Sequence, residues 1–334
     1  MPENRDITLK SAIIEALQNE LRRDPAVFYL GEDVGEAEGI FKQTEGLFKE
    51  FGGERIIDTP ISEAGMFGMA VGAAMTGMRP IVEIMFADFL TLVADQLVNH
   101  AAKTHYLSAG TFSAPLVLRT AIGVGGLLGA THSQALYTWA AHIPGLKVVL
   151  PSTAADAKGL FTAAIRDNNP VLFCEDRMTY NKKEKVPEGE HLVPLGQASV
   201  KREGTDVTLV ALSRQVHTAL EAADKLAEIG ISAEIIDPRT LVPLDTKTIV
   251  DSVKKTSRAM VIDGGTQLYG VTGEIASTIC EQAFDYLDAP VMRLGAPHAP
   301  VACSKPLEAL MLPSVQQIVS KVRQMFGDEQ ETAE

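Results

Sequence analysis

Residues 55–84 read RIIDTPISEAGMFGMAVGAAMTGMRPIVEI, and their pattern is the clearest indication of the fold class. Two short runs rich in β-branched residues, 55–57 and 80–84, enclose a segment of small and apolar residues that is long enough for a helix. This order predicts a strand, a helix and a second strand, the unit from which parallel sheets are built. Each glycine in the helix costs about 1 kcal/mol relative to alanine, so we expect the helix to pack closely against another element, which could be another chain.

The same alternation continues along the chain in both directions. Apolar residues at helical spacing predict a helix from about Thr8 to Arg23. Further strands are predicted for the apolar runs 27–30, 116–119, 147–150 and 171–173. Thr153 and Asp156 form a capping pattern at the start of another helix. The chain is therefore predicted to be an α/β protein with a mainly parallel sheet.

A polar stretch interrupts this pattern between Met178 and Gly204. It predicts an exposed linker at 181–204, between a first domain at 1–180 and a second α/β domain at 205–330. A length of 334 residues is sufficient for two such domains.

Composition excludes several classes of protein. With 43 acidic and 30 basic residues, the net charge of −13 argues against a nucleic-acid surface or a polybasic membrane patch. The three cysteines are far apart in sequence and predict neither a disulfide framework nor a zinc site. The most apolar stretch, 64–78, is shorter than the roughly 18 residues of a membrane span. We expect a cytoplasmic protein, or a mitochondrial matrix protein if a transit peptide was removed.

Glu63 lies in the segment Asp58–Gly65, which comes directly after a predicted strand and opens the glycine-rich helix. Two interpretations remain open for it. As an acid in the first turn, it would complement the positive end of the helix dipole. At the mouth of a closely packed apolar surface, its desolvated carboxyl group could instead share or donate a proton.

Residues 83–89, EIMFADF, end a strand and begin a predicted long helix that reaches about Tyr106. Ligands of open α/β sheets bind where strands end, and an aromatic residue there could stack on a planar heterocycle. Phe89 and Met85 are the candidates, although core packing is the commoner role of such residues.

The loop 122–134, IGVGGLLGATHSQ, follows another strand and carries His132. Its glycine spacing departs from the dinucleotide-binding pattern, so that signal is weak. His132 could donate a proton or bind a substrate, or could simply bond to loop carbonyls. The turn 163–170 ends a helix just before a strand, and its carbonyls form either a cation site or an ordinary loop.

Together these segments resemble the β subunit of the thiamine-diphosphate-dependent first component of 2-oxoacid and acetoin dehydrogenase complexes, within the transketolase-like superfamily. The stretches that carry the resemblance are Gly31–Gly35, Asp58–Gly65, Gly77–Pro80, Phe86–Phe89, Asp95–Gln96, His132–Gln134, Pro144–Val149, Asp156–Leu160 and Ala164–Pro170. The second domain is similar to the transketolase C-terminal domain. The resemblance implies a pyrimidine-binding α/β domain followed by a C-terminal-like α/β domain.

The resemblance also implies roles for particular residues. Glu63 matches the catalytic glutamate that hydrogen-bonds N1′ of the aminopyrimidine and so activates the cofactor. Phe89 matches the aromatic residue that packs on the pyrimidine, with Met85 nearby. His132 matches the catalytic histidine that handles the substrate-derived intermediate and its transfer to lipoyl groups. A potassium ion is implied at the backbone carbonyls of Leu116, Ala164, Ile165, Asp167 and Asn169.

The family's diphosphate and magnesium motif, Gly-Asp-Gly followed by two asparagines, belongs to the α subunit. The nearest string here is Asp263-Gly264-Gly265, and no asparagine pair follows it. The resemblance therefore implies that this chain binds only the pyrimidine end, and that an α subunit holds Mg²⁺ in an α2β2 heterotetramer. A lipoyl-bearing dihydrolipoyl acyltransferase would dock on the β subunits. The segment from Asp263 to Gly270 departs from the family pattern.

The main hypothesis is a β subunit of the acetoin or pyruvate type, which acts on a small oxo substrate with a lipoyl disulfide as acceptor. Residues 135–139, which follow the His132 motif, are closer to acetoin and pyruvate members than to branched-chain ones. The alternatives are a branched-chain 2-oxoacid dehydrogenase β subunit, an NAD-dependent Rossmann dehydrogenase that uses the 123–129 loop, and a non-catalytic assembly subunit.

Overall fold

A computed structural model describes residues 4–327 of the chain. They form two compact units. The N-terminal unit contains the chain up to Ile122, together with Trp139–Leu195 and Leu241–Pro243. The C-terminal unit contains Gly123–Thr138, Gly196–Thr240 and the chain from Leu244 onward. The loop that carries His132 is therefore part of the C-terminal unit, although it lies between strands of the N-terminal unit in sequence.

Helices and strands alternate in the predicted manner. The strands are β1 (Asn4–Thr8), β2 (Val27–Gly31), β3 (Ile56–Asp58), β4 (Arg79–Ile84), β5 (Val117–Ile122), β6 (Lys147–Val149), β7 (Val171–Asp176), β8 (Lys183–Pro187), β9 (Ser199–Arg202), β10 (Val207–Ala211), β11 (Ala233–Asp237), β12 (Thr240–Val242), β13 (Ala259–Thr266) and β14 (Met292–Ala296). The α-helices are α1 (Leu9–Arg23), α2 (Leu47–Phe51), α3 (Glu63–Met75), α4 (Thr104–Leu107), α5 (Tyr137–Ala141), α6 (Ala154–Arg166), α7 (Gln215–Glu228), α8 (Thr246–Thr256), α9 (Val271–Ala283), α10 (Lys305–Glu308) and α11 (Val315–Met325). The unit predicted from residues 55–84 is confirmed as β3, α3 and β4.

A seven-stranded sheet forms the centre of the N-terminal unit, in the order β12-β6-β7-β5-β4-β2-β3. The pairs from β6 to β3 are all parallel, which confirms the predicted mainly parallel sheet. Helices α1 and α6 pack against each other and share one buried apolar cluster with the strands. As predicted, Thr153 caps α6, because its side chain accepts a hydrogen bond from the Asp156 amide.

The C-terminal unit has a five-stranded sheet in the order β14-β13-β10-β11-β9. All of its pairs are parallel except β9 with β11, at one edge. Helices α7 and α11 pack together, and their apolar residues share a buried cluster with β10, β11 and β13. This unit is therefore an α/β layer structure as well.

Two segments differ from the prediction. The polar stretch expected to be a linker contains β8, which pairs antiparallel with β1, and the edge strand β9. In β8 only Val186 is fully buried. The other positions include lysines and a glutamate, so the sequence lacks the apolar alternation that would predict a strand. The long helix expected to reach Tyr106 is broken into a 3₁₀ segment at Ala87–Val93, a π-helical turn at Gln96–Ala101 and α4. Apolar residues that recur every three to five positions are compatible with 3₁₀ and π-helical turns as well as with an α-helix, so the pattern does not distinguish them.

Four neighbouring strands of the N-terminal sheet share a buried ionic network. Arg119 on β5 donates to both carboxylate oxygens of Glu175 on β7, at 2.5 and 2.9 Å, and to the Tyr29 hydroxyl at 3.0 Å. Tyr29 in turn donates to Glu83 on β4, which also accepts a 2.5 Å hydrogen bond from Gln43. All five side chains are buried. Burial raises the pKa of Glu83, and the Arg119 charge opposes that shift.

Candidate active site

Three neighbouring strands of the N-terminal sheet end close to the predicted cofactor residues. Strands β2, β3 and β4 are adjacent and parallel, so their carboxyl ends lie at one edge of the sheet. Glu32 follows β2, Glu63 begins α3 after β3, and Met85 follows β4. This edge is the usual ligand-binding position in open α/β sheets. The fold therefore brings Glu63 and Met85 to one edge and adds Glu32, to which the sequence analysis gave no role.

Glu63 is half-buried at the first position of α3. Among the described residues, the side chain of Ser62, the N-cap, caps no backbone amide, so Glu63 is the only acid that complements this helix end. Part of α3 is exposed and formed by small and apolar residues, including Gly72 and Met69. A Cβ at Gly72 would meet nothing within 4 Å in the described part of the chain. Packing within this chain therefore does not explain that glycine.

Glu32 is close enough to Glu63 for the charge of Glu63 to affect its ionisation. Its Oε1 atom is buried and has no hydrogen-bond partner within residues 4–327. Burial raises the pKa of Glu32, and the negative charges of Glu63 and Asp33 raise it further. The negative charge of Glu63 therefore acts on a half-buried carboxyl group at the same edge of the sheet. The signal in the sequence was an acid placed directly after a five-residue strand that is buried throughout.

Asp58, in the motif that precedes Glu63, fixes the loop that carries Glu32. The Gly35 amide donates to Asp58 Oδ1 at 2.7 Å, and a Cβ at Gly35 would overlap the Asp58 carboxylate. The Thr59 amide donates to the Gly31 carbonyl at 2.9 Å. Asp58 therefore positions the Glu32 loop through a hydrogen bond that only a closely approaching glycine allows.

Phe89 and Met85 are both half-buried. The Phe89 ring packs edge-on against Phe86, with the ring centroids 6.0 Å apart, and Phe86 packs in the same way against Phe41 at 5.6 Å. This cluster orients Phe89 and leaves part of its surface accessible. On the following turn, Gln96 Oε1 is buried and has no partner in the described part of the chain, and sequence reasoning gave Gln96 no role.

His132 is half-buried in the loop of the C-terminal unit, and its Nδ1 lies 3.1 Å from Thr131 Oγ1. Glycines allow this loop to adopt its path, because Gly125, Gly126 and Gly129 have φ values of 143°, 77° and 76°. The sequence predicts the loop and its histidine, but local patterns do not indicate that the loop packs with the C-terminal unit.

The predicted cation site lies at the C-terminal end of α6. Two of its carbonyls, those of Ile165 and Asp167, accept hydrogen bonds from Arg79 at 3.1 and 2.9 Å. Burial acts against ionisation of Asp167, but hydrogen bonds from Lys147 and Asn169 hold its pKa below the usual value. Residues 4–327 contain no cluster of three or more His, Cys, Asp or Glu side chains suited to a metal. A cation here would therefore depend on backbone oxygens.

The three cysteines occupy different environments. Cys174 is buried, Cys280 and Cys303 are exposed, and none of the three forms a disulfide within the described chain. Over the same residues, every helix is too short or too polar to span a bilayer.

Two α/β units, each with a mainly parallel sheet, place the chain in the transketolase class, as the comparisons with known proteins show. The family model of the transketolase pyrimidine binding domain matches residues 5–183, and that of the transketolase C-terminal domain matches residues 196–318. A solved split-gene transketolase, described as an inactive beta4 tetramer, has the same fold, with a TM-score of 0.79 over 98% of this chain and 100% of that chain, at 22% identity.

Within that class, the chain belongs to the family of acetoin and pyruvate dehydrogenase E1 β subunits. It is 46% identical to the β subunit of acetoin:2,6-dichlorophenolindophenol oxidoreductase from Bacillus subtilis strain 168, over 97% of this chain and 98% of that one. It is also 46% identical to the pyruvate dehydrogenase E1 β subunit of Rickettsia felis, over 96% and 98% of the two chains. The resemblance seen in the sequence is thereby confirmed. These relatives favour the main hypothesis over the branched-chain and NAD-dependent alternatives.

Proposed function

We propose that this chain is the β half of a thiamine-diphosphate-dependent dehydrogenase of the acetoin or pyruvate type. It would convert a small oxo substrate into an acyl group and transfer that group to a lipoyl disulfide. The observation that best supports the proposal is the position of Glu63 and Glu32 after two adjacent parallel strands, at the carboxyl edge of the sheet. When bound, thiamine diphosphate supplies the carbanion chemistry that cleaves a bond next to an oxo group.

The residues at this edge fit the pyrimidine end of the cofactor. Glu63 would hydrogen-bond N1′ and hold a proton there, and the buried, unpartnered oxygen of Glu32 marks a polar position beside it. Phe89 and Met85 would supply apolar surface for the ring and exclude water.

The chain would need an α subunit to complete the site. Its nearest string to the magnesium motif, at Asp263, lacks the asparagine pair of that motif, and the Asp263 carboxylate accepts a hydrogen bond from Tyr137. An α subunit would therefore hold the diphosphate and Mg²⁺. The exposed small residues of α3 near Glu63 provide a surface for it in an α2β2 assembly. A lipoyl-bearing acyltransferase would be the further partner.

Reconstitution tests this proposal directly. The chain would be co-expressed with an α-type chain from the same genome, and the purified complex assayed with acetoin, pyruvate and branched-chain 2-oxoacids. Reduction of dichlorophenolindophenol by acetoin or pyruvate, dependent on thiamine diphosphate and Mg²⁺, is the expected result. A complex that binds the cofactor and oxidises none of these compounds would contradict the proposal.

Replacement of His132 should separate the two halves of the reaction. In the reconstituted complex, we expect His132→Ala to keep cofactor binding and dye reduction and to slow acyl transfer to lipoyl groups about 10- to 100-fold, because the imidazole would move a proton during transfer. His298→Ala, at an exposed histidine of the same unit, is the matched control. Normal acyl-lipoyl formation by His132→Ala would rule out this role.

Removal of potassium tests the proposed cation site. If the carbonyls at the end of α6 bind K⁺, exchange into choline chloride at equal ionic strength should destabilise the N-terminal unit by about 1–3 kcal/mol, since a ligand stabilises the state that binds it. Trp139, the only tryptophan, reports unfolding of this unit by fluorescence. Rubidium should restore the midpoint and lithium should not. Equal midpoints in potassium and choline would show that hydrogen bonds within the chain, such as those from Arg79, satisfy these carbonyls without a cation.

A further inference from the structure

Tyr137 and Asp263 form a buried pair inside the C-terminal unit. Their side chains are only 2% and 1% exposed, and the Tyr137 hydroxyl donates to Asp263 Oδ1 at 2.5 Å. Within the described residues, Asp263 Oδ2 has no hydrogen-bond partner. Burial raises the pKa of Asp263, and the Tyr137 hydrogen bond opposes that shift. A carboxyl group buried in this way is costly, so the hydroxyl that pairs with it is strongly held in place.

Gly265 closes the space around this pair. A Cβ at Gly265 would lie 2.9 Å from both Asp263 Oδ2 and the Tyr137 hydroxyl, closer than real side chains approach. The neighbouring Gly264 has more room, because a Cβ there would meet only Leu312, at 3.5 Å. A side chain at Gly265 would therefore disturb the pair of Tyr137 and Asp263, whereas a side chain at Gly264 would not.

Two more contacts join the His132 loop to the last part of the chain. The Leu127 amide donates to Glu308 Oε1 at 3.0 Å. A Cβ at Gly129 would overlap Cys303 Sγ, so the loop backbone and residue 303 are in close contact. The loop is thus fixed on both sides of His132: before it by these contacts, and after it by Tyr137.

We propose that Tyr137 and Asp263 are positioning residues for His132 in acyl transfer. The inference rests on the proposed function of His132. Tyr137 is five positions after His132 and begins α5, so its hydrogen bond to β13 sets where the loop ends. Loss of that bond lets the loop end shift, and a displacement of about 1 Å at a reacting group can reduce a rate about 100-fold. The pair acts through the backbone and has no role in cofactor activation.

Two assays on the reconstituted complex test this inference. Tyr137→Phe removes only the hydroxyl, and Gly265→Ala pushes the pair apart. For both we expect acyl transfer to lipoyl groups to fall about 10- to 100-fold, while dye reduction stays within about twofold. Asp263→Asn keeps an oxygen that can accept from Tyr137, so it should retain more transfer than Asp263→Ala. The matched controls are Tyr269→Phe, at a 92% exposed tyrosine, and Gly264→Ala.

Comparison of these variants with His132→Ala tests the positioning role separately from the role of His132 itself. If His132→Ala slows transfer but Tyr137→Phe and Gly265→Ala do not, the positioning role is wrong and the role of His132 stands. If the variants lower dye reduction and transfer equally, the pair is structural and the inference is overturned. If His132→Ala leaves transfer intact, the role of His132 fails first and the inference fails with it. Unfolding midpoints of each variant show that the complexes compared are folded.

Discussion

Glu63→Gln should reduce thiamine-diphosphate-dependent turnover of the reconstituted complex by about 100-fold or more, with little effect on folding. The amide keeps the size of the side chain but cannot hold or release the proton that the carboxyl group would exchange with N1′. Because Glu63 is half-buried and glutamine matches it in size, the loss of that proton exchange is the main difference between the two side chains. Turnover would be measured with dichlorophenolindophenol, so that the assay does not depend on the transfer step.

A matched control addresses the simpler interpretation of Glu63 as a helix-end acid. Glu274 is the acidic residue in the first turn of α9 and is exposed. Glu274→Gln removes a comparable interaction with a helix dipole, which is worth only about 0.3–1 kcal/mol, and should leave turnover unchanged. If Glu63→Gln behaves like Glu274→Gln, Glu63 only stabilises the helix, and a non-catalytic assembly subunit becomes the better interpretation.

Local patterns predicted much of the fold, because the interactions concerned span only a few residues. The strand and helix that place Glu63, and the Thr153 cap of α6, each depend on neighbours in sequence. Strand β8 is not predictable from the sequence, because a single buried side chain, Val186, gives no alternation of apolar and polar residues. Apolar spacing also could not distinguish the turns that follow Phe86 from an α-helix, because apolar residues recur at similar intervals in both.

The parts of the site that sequence analysis missed depend on contacts between distant residues. Glu32 becomes notable only in the folded chain, where burial and the charge of Glu63, 31 positions later, raise its pKa. Asp263 was seen as a departure from a family pattern, and Tyr137 as part of a segment typical of some members. The structure shows that the two residues bond to each other across 126 positions. Such pairs have no signature in a single sequence, because each residue is unremarkable alone.

Arg119→Leu should destabilise the N-terminal unit by about 3–5 kcal/mol, the largest effect on stability that we expect from one substitution. Arg119 is 2% exposed, and its guanidinium is the only cation within the network formed with Glu175 and Glu83, as far as the described residues show. Its removal leaves two buried carboxyl groups without a counter-charge. The free energy of unfolding would be measured with urea, followed by the fluorescence of Trp139, which belongs to the same unit.

The pH dependence of this loss has a definite sign. Burial already raises the pKa of Glu83, and loss of the Arg119 charge would raise it further. A carboxyl group with a raised folded-state pKa stabilises the fold while it is protonated, and that stabilisation is lost as pH rises through the folded value. The defect of Arg119→Leu should therefore be smallest near pH 4.5, the ordinary value for glutamate, and should grow above it.

Two comparisons show whether the cause is burial of charge. Arg22 makes a 2.6 Å ion pair with Glu50 on the exposed surface of the same unit, so Arg22→Leu should cost less than about 1 kcal/mol. Arg119→Leu combined with Glu175→Leu should be more stable than Arg119→Leu alone, because one uncompensated carboxylate is removed as well. A loss that is the same at every pH, and that Glu175→Leu does not reduce, would instead indicate that Arg119 acts only through the packing of its side chain.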